Sequence, residues 1–420
     1  MEVFEPFFSY TYFSRFEKSN NFSKYVCPYN FEVDFKETKF MLAKNEYNIL
    51  NFKKEAGELK LKTWIDDSVL SRSQSKSFYI YEISYKISSV IYSLIGIVGA
   101  LKLPQENDKD DFIFTCEETL EEEVEENFNF LKNYGFYSSP VCALYEGEKD
   151  NKVLNIIKSK MQYSYLFKAK QNNVVHKIWR VDDLETVEIL VDFFKNMKYY
   201  IVGGTEKYEA AIKYKEHLKN DKDRKNLGCD ENFVMTLLFP KDSFFFTTLP
   251  VHRLVSGIDM FDGQEILKKS SKYFEISSCK TLNSMRKTLF NFRRQGENAF
   301  GLYADDCYSV LSLKDKEIFK EFDYDDFSYF KKFDVFIADK IFLKHILNIP
   351  DKNIYYSVVD SSASCCVDCG EACFAVILSA IRSGEFFEVV KSKKKFLKKS
   401  FSFFPKPVEG LLFYVFNFKS

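Results

Sequence analysis

A glycine pair where a strand meets a helix is the first feature of this sequence with the makings of a binding site. Lys198-Tyr-Tyr-Ile-Val202 reads as a strand, Gly203-Gly204 as a tight turn and Thr205–Leu218 as a helix. A helix start leaves backbone N–H groups without intrahelical partners, and with the helix dipole they form an anion site. Gly203 and Gly204 let a ligand approach the backbone closely. Thr205 is placed to cap the helix, and Lys207 adds a positive charge. Glu206 opposes it: a carboxylate about 6 Å from an incoming phosphate repels it by roughly 1–3 kcal/mol at an effective dielectric of about 20–80. His252 and Arg253 form a second candidate, an anion contact with a proton donor beside it, or a strand-end pair bound to backbone or carboxylate. Glu117 is a candidate base or metal ligand with Thr119 near it, or a plain helix-start carboxylate. His176 lies in a predicted strand, where a half-buried structural histidine is the simpler role.

The cysteine run Cys365-Cys366-x-x-Cys369-x-x-x-Cys373 invites a metal. Tetrahedral zinc usually takes two separated ligand pairs, and this crowded spacing fits neither that nor an iron–sulfur run. The expectation is therefore no metal and packing as small apolar side chains. Lys391 to Lys395 with Lys398 and Lys399 form a basic cluster, read as a solvated loop.

The elements that must position these groups alternate. Phe78–Tyr85 and residues 90–100 read as strands, Glu117–Tyr134 as a helix ended by Gly135, and Val141–Tyr145 as a strand. Asp182–Lys195 reads as a helix. The helix after the glycines turns Tyr208, Ala211, Ile212, Lys215 and Leu218 inward and pairs Glu209 with Lys213. Phe233–Phe239 and Ser243–Thr248 read as strands, followed, beyond a domain boundary, by helical segments, the Asp323–Asp326 loop, a helix around Phe336–Leu347 and a strand-rich end. Alternation of this kind implies a mixed α/β protein. A boundary is placed at 258/259, giving an N-terminal and central region that carries the loop and a C-terminal α+β region.

Composition narrows the partners. Sixty basic and 61 acidic residues give a net charge of −1, so no global field draws nucleic acid. The sequence holds 46 Phe and 26 Tyr, read as compositional drift that core packing tolerates. The apolar run Ile87–Leu103 is interrupted by Ser88, Ser89, Ser93, Gly96, Gly99 and Lys102, and reads as a buried strand pair rather than a membrane span. Met1-Glu2-Val3-Phe4-Glu5-Pro6 lacks a basic region followed by an apolar run. A cytoplasmic protein with reduced thiols is expected.

Several segments together resemble a known family. Tyr199-Tyr-Ile-Val-Gly-Gly-Thr-Glu-Lys-Tyr-Glu-Ala-Ala211 is similar to a signature in which a strand ends in Ala-Asp-Gly-His-His-Arg-Tyr-Glu. Leu249-Pro-Val-His-Arg-Leu-Val255 resembles a Pro-Thr-His-Arg segment, and Cys27-Pro28-Tyr29-Asn30 an early Pro-Pro-Tyr-Asp. Val174-Val-His-Lys-Ile-Trp179 matches a further landmark. Lys399-Ser400-Phe-Ser-Phe-Phe-Pro405-Lys406, followed by Gly410, resembles a terminal Lys-Ser-Thr-x-Phe-x-Pro-Lys. The family is the domain-of-unknown-function family 1015. The resemblance implies a ParB/sulfiredoxin-like loop and, by analogy of fold, nucleotide or phosphate binding with phosphoryl transfer to, or hydrolysis of, a small metabolite.

On that resemblance Gly203, Gly204, Thr205, Lys207, Arg253, Lys399 and Ser400 would bind a nucleoside phosphate with Mg²⁺. Glu117 and His252 would move protons, while Tyr29, Thr119, His176, Tyr208 and Glu209 complete the motif set. The departures are systematic. The family's Asp is Gly203 here, its two His are Thr205 and Glu206, and its Arg is Lys207, which loses the bidentate fork suited to phosphate. Its His-Glu-x-Thr is Cys116-Glu-Glu-Thr119, and its following Asp-Arg is Glu126-Asn127. Two readings therefore stand: a nucleotide-dependent phosphotransferase or hydrolase, and a catalytically degenerate protein that binds a small ligand or a partner.

Overall fold

The computed structural model describes residues 3–12, 33–34, 65–66, 70–87, 89–105, 112–146, 151–171, 174–219, 230–241, 247–258, 262–315, 317–321, 329–392 and 394–416. Tyr29, with its neighbours Cys27–Asn30, and the Asp323–Asp326 loop lie outside the described residues, as do 243–246 of the predicted strand there. The chain is a mixed α/β protein in two compact units. One comprises residues 1–246 and 405–420, the other Thr247–Phe404.

The first unit is built on one mixed sheet. Its strands are β1 (Phe4–Glu5), β2 (Val33–Asp34), β3 (Phe78–Ile87), β4 (Val90–Lys102) and β5 (Ile113–Thr115). They continue, past the short β6 (Phe136–Tyr137), with β7 (Val141–Glu146), β8 (Phe167–Gln171), β9 (Val174–Val181), β10 (Lys198–Gly203) and β11 (Phe233–Pro240). The order across the sheet is β2-β8-β9-β3-β4-β11-β7-β10-β5, with β1 alongside β4. Most of the apolar run 87–103 is thus strand β4, in the β3–β4 hairpin pairing Tyr79 with Val98 through Ile87 with Val90. Gly99 is required by packing: a Cβ there would lie 2.5 Å from the Phe4 ring, which stacks on Phe78 and meets Phe194 edge-on.

The helices of this unit are α1 (Glu121–Tyr134), α2 (Asn151–Lys160), α3 (Leu184–Phe194) and α4 (Thr205–Lys219). Helix α1 begins at Glu121 and not at Glu117. Residues 116–117 instead prolong the sheet edge, where the Cys116 amide donates to the Ile201 carbonyl at 3.3 Å, so strand pairing overrides the helical pattern. Gly135 ends α1 in the left-handed region at φ 64°. Both members of the predicted Glu209–Lys213 pair have partners on neighbouring segments. Helix α1 packs on α4, and there Lys213 pairs with Glu125 while Glu209 accepts from Thr119. Lys215 is buried to its tip, and its ammonium donates to the carbonyls of Leu103 at 3.2 Å and Pro104 at 3.0 Å.

The second unit has its own antiparallel sheet. After β12 (Thr247–Pro250) come β13 (His252–Val255), β14 (Phe274–Cys279), β15 (Ala299–Ala304), β16 (Cys307–Leu313), β17 (Ile354–Ser357), β18 (Phe374–Ile377) and β19 (Phe401–Phe404). The sheet order is β14-β16-β15-β18-β13-β17, and β12 pairs with β19. Helices α5 (Gly263–Ser270), α6 (Leu282–Gln295), α7 (Asp334–Phe336, continuing as a π-helix over Ile337–Ile346), α8 (Asp360–Asp368) and α9 (Ser383–Lys391) accompany it. In the end expected to be strand-rich, after Leu347, strands β17, β18 and β19 alternate with helices α8 and α9. Leu254, Met285, Leu289, Val310 and Ile377 centre its core.

Candidate functional site

Strand direction gathers the first unit's motif residues on one edge. β10 runs parallel to β5 and antiparallel to β7. The residues after β5, the residues after β10 and the residues before β7 therefore emerge side by side. A bulge between Ile201 and Gly203 shifts the β10–β7 register, so that Gly203 faces Cys142. Gly204 follows at φ 75°. A Cβ on Gly204 would make only ordinary contact with Val141, so its backbone angle, and not lack of space, calls for glycine. The Gly204 carbonyl accepts from the amides of Lys207 and Tyr208, both at 3.0 Å, and opens α4. Thr205 thus stands inside the helix and buried, not at the cap. Tyr208 is buried beneath the turn, and Glu206 and Lys207 are half-buried.

Two distant motif pieces meet here. The Thr119 hydroxyl donates to the Glu209 carboxylate at 2.5 Å across 90 positions of sequence. Glu117 stands in the same segment, half-buried. The Lys207 ammonium donates to the Ser139 hydroxyl at 2.5 Å and pairs with Glu409 at 3.3 Å. Glu409 arrives on the returning segment after Pro405, which is tied down by Gly410 N–H donating to Ser138 O at 2.6 Å and by β20 (Tyr414–Val415) pairing with β6.

These groups border a cavity of about 160 Å³. Its polar wall holds Glu126, Asn127, Ser139, Lys207 and Glu409, and Phe130, Phe136 and Tyr137 form its apolar side. Asn127 turns its amide to the Glu123 carbonyl at 2.7 Å. Beneath the loop, burial pushes the Cys142 thiol up to about 12, and the pull of Lys207 and Lys406 only partly offsets it. Cys142 is therefore a protonated, inert thiol at neutral pH. Sequence reasoning missed Ser139 and Glu409. Glu409 stands between two quoted landmarks, Lys406 and Gly410, and that proximity was its signal.

The remaining candidates are engaged in their own surroundings. His176 is in the core of the first unit, its Nδ1 3.1 Å from the Tyr81 hydroxyl, which in turn accepts from the Val408 amide at 3.1 Å. Burial lowers its pKa to about 4, so the ring is neutral. In the second unit His252 is also buried and held at about 4 by desolvation. Its Nδ1 accepts from the Leu378 amide at 3.1 Å, which places the ring proton on Nε2. Arg253 is fully buried. Its Nε and Nη2 each meet the Asp339 carboxylate at 2.7 Å, Nη1 donates to the Val251 carbonyl, and Tyr356 lies under its guanidinium. Lys399 sits in a turn at φ 56°, and the Ser400 hydroxyl donates to Leu397 O at 2.7 Å. Among the described residues, no group of three or more His, Cys, Asp or Glu is arranged to hold a metal ion, and no helix is long and apolar enough to cross a membrane.

The sequence model of DUF1015, described as a protein of unknown function, matches residues 14–336. The chain belongs to this family. No curated protein matches it. Among solved structures, a conserved hypothetical protein from Pyrococcus furiosus is similar over 71% of this chain and 91% of its own, at 13% identity and a TM-score of 0.37. A free serine kinase in complex with AMP covers 72% of this chain and 89% of its own, at 11% identity and a TM-score of 0.36. SbnI from Staphylococcus aureus covers 74% and 85%, at 10% identity and a TM-score of 0.35. At these values no residue's role transfers from any of them to this DUF1015 chain.

Proposed function

We propose that this chain is a small-ligand-binding protein that keeps the frame of a ParB/sulfiredoxin-like turn and does not transfer phosphoryl groups. The observation that carries this reading is the state of Lys207. Among the described residues it is the one cation bordering the cavity, it is already paired with Glu409, and Glu126 supplies a second carboxylate. The formal charge of these three groups is −1, which repels a polyphosphate. Glu206 at the first helical turn adds to that repulsion and occupies the favourable place near the dipole. The cavity is also about half the lower limit of roughly 300 Å³ usual for nucleotide-sized ligands.

The charges suit a small zwitterion, an amino acid being the plainest case. Its carboxylate would approach Lys207 and Ser139, its amino group Glu126 and Glu409, and its side chain the wall of Phe130, Phe136 and Tyr137. Arg253 and His252 have structural roles in this reading, and Glu117 has no substrate to deprotonate. Thermal shift of the full chain against amino acids, AMP, ADP and ATP, with and without Mg²⁺, tests it. A ligand at about 100 times its dissociation constant adds roughly 2.7 kcal/mol of stability. The expected result is a shift with one or more amino acids that disappears in Lys207→Met. A shift with Mg²⁺-ATP that disappears in the same variant would favour the phosphotransferase reading instead.

A further inference from the structure

The cysteine run separates into two populations in the structure. Cys366 is half-buried and packs on the core of Met285, Leu289 and their neighbours. Cys365 and Cys369 are exposed on the outer face of α8 and the residue that ends it, and their sulfurs are 3.9 Å apart. Packing as small apolar side chains therefore accounts for Cys366 and not for this pair. Residues four apart on a helix face the same way, and the Cys369 amide donates to the Cys365 carbonyl at 2.9 Å, fixing the turn between them.

We propose that Cys365 and Cys369 form a two-thiolate site for a thiophilic divalent cation, independent of the Lys207 cavity. Two sulfurs each about 2.3 Å from a tetrahedral ion lie about 3.8 Å from one another, which is the spacing this turn already holds. Both thiols are free, and their spacing suits an ion held between them. The surroundings favour a cation as well. Asp368 and Glu371 place negative charge beside Cys369, and that field attracts a divalent ion. Binding replaces two S–H bonds by two metal–sulfur bonds and releases two protons, with no change of oxidation state. No third side chain among the described residues completes the set, so water or a second molecule takes the remaining positions.

The test is titration of the reduced full chain with Cd²⁺ at neutral pH, followed by the thiolate-to-cadmium charge-transfer absorbance. The expected result is one saturable site whose apparent affinity falls at least tenfold in Cys365→Ser and in Cys369→Ser and is unchanged in Cys307→Ser, an exposed thiol elsewhere. All three replacements are at surface positions or the helix end, and far-UV circular dichroism reports that each variant is folded. A titration unaltered by both Cys365→Ser and Cys369→Ser, or one altered equally by Cys307→Ser, overturns the proposal.

Discussion

Replacing Asp339 by alanine decides whether Arg253 is an available anion contact or a structural charge. The guanidinium is fully buried and takes both oxygens of Asp339 at 2.7 Å. Removing the carboxylate strands a buried cation that keeps the Val251 carbonyl and the face of Tyr356 as partners. Breaking such a pair costs about 3–5 kcal/mol. Trp64 and Trp179, the two tryptophans, both lie outside residues 247–404, so their fluorescence does not report on this unit directly. Amide exchange of peptides from β13 and β17 does. A loss of 3–5 kcal/mol lowers their protection by roughly 10²–10⁴-fold where exchange requires opening of the unit. The double change Arg253→Met with Asp339→Leu removes both charges and should recover most of that loss. A loss of protection below about tenfold in Asp339→Ala, accompanied by new sulfate binding, would refute the structural role and return Arg253 to the list of anion contacts.

Three further outcomes are expected. Glu409→Gln frees Lys207, and removing a carboxylate about 6 Å from a bound phosphate should improve phosphate affinity by about 0.7–2.8 kcal/mol at an effective dielectric of about 20–80, roughly three- to a hundredfold by isothermal titration. The same change should weaken an amino acid bound through its amino group. Stability should fall as the pH drops from about 6.5 toward 4, because His176 and His252 are both held at about 4 when folded. The unfolded chain, with histidines near 6.5, then binds more protons, and each site forfeits up to about 3 kcal/mol by the time the pH reaches 4. Urea midpoints at pH 7 and pH 5 should converge in His176→Gln and His252→Gln relative to wild type, and an unchanged pH slope in both would contradict buried neutral rings.

How much was legible in the sequence differs from element to element. The strand, glycine turn and helix at 198–219 could be read because each has a local signal: an apolar run, φ-permissive glycines and a buried helical face. Gly135 as a helix stop was readable for the same reason. The start of α1 was not, since Glu117 has helical spacing but Cys116 is held by Ile201, which is 85 positions away. The partners that define the charged residues were invisible on the same ground. Asp339 meets Arg253 across 86 positions and Glu409 meets Lys207 across 202, and neither contact leaves a periodic trace. Thr119 and Glu209 were each marked by the family motif, whereas their hydrogen bond needed the parallel pairing of β5 with β10. The cysteine run was read as one group, and only helix geometry divides it into an inward and an outward set.

The central claim is that the Lys207 site binds without transferring phosphate. It is tested most directly by following the γ-phosphate of labelled ATP with Mg²⁺, in the presence of the amino acids, on wild-type protein and Lys207→Met side by side. The expected result is release and transfer at the rate of the protein-free blank in both. A rate above the blank that falls in Lys207→Met would contradict the claim and make this chain a phosphotransferase or hydrolase.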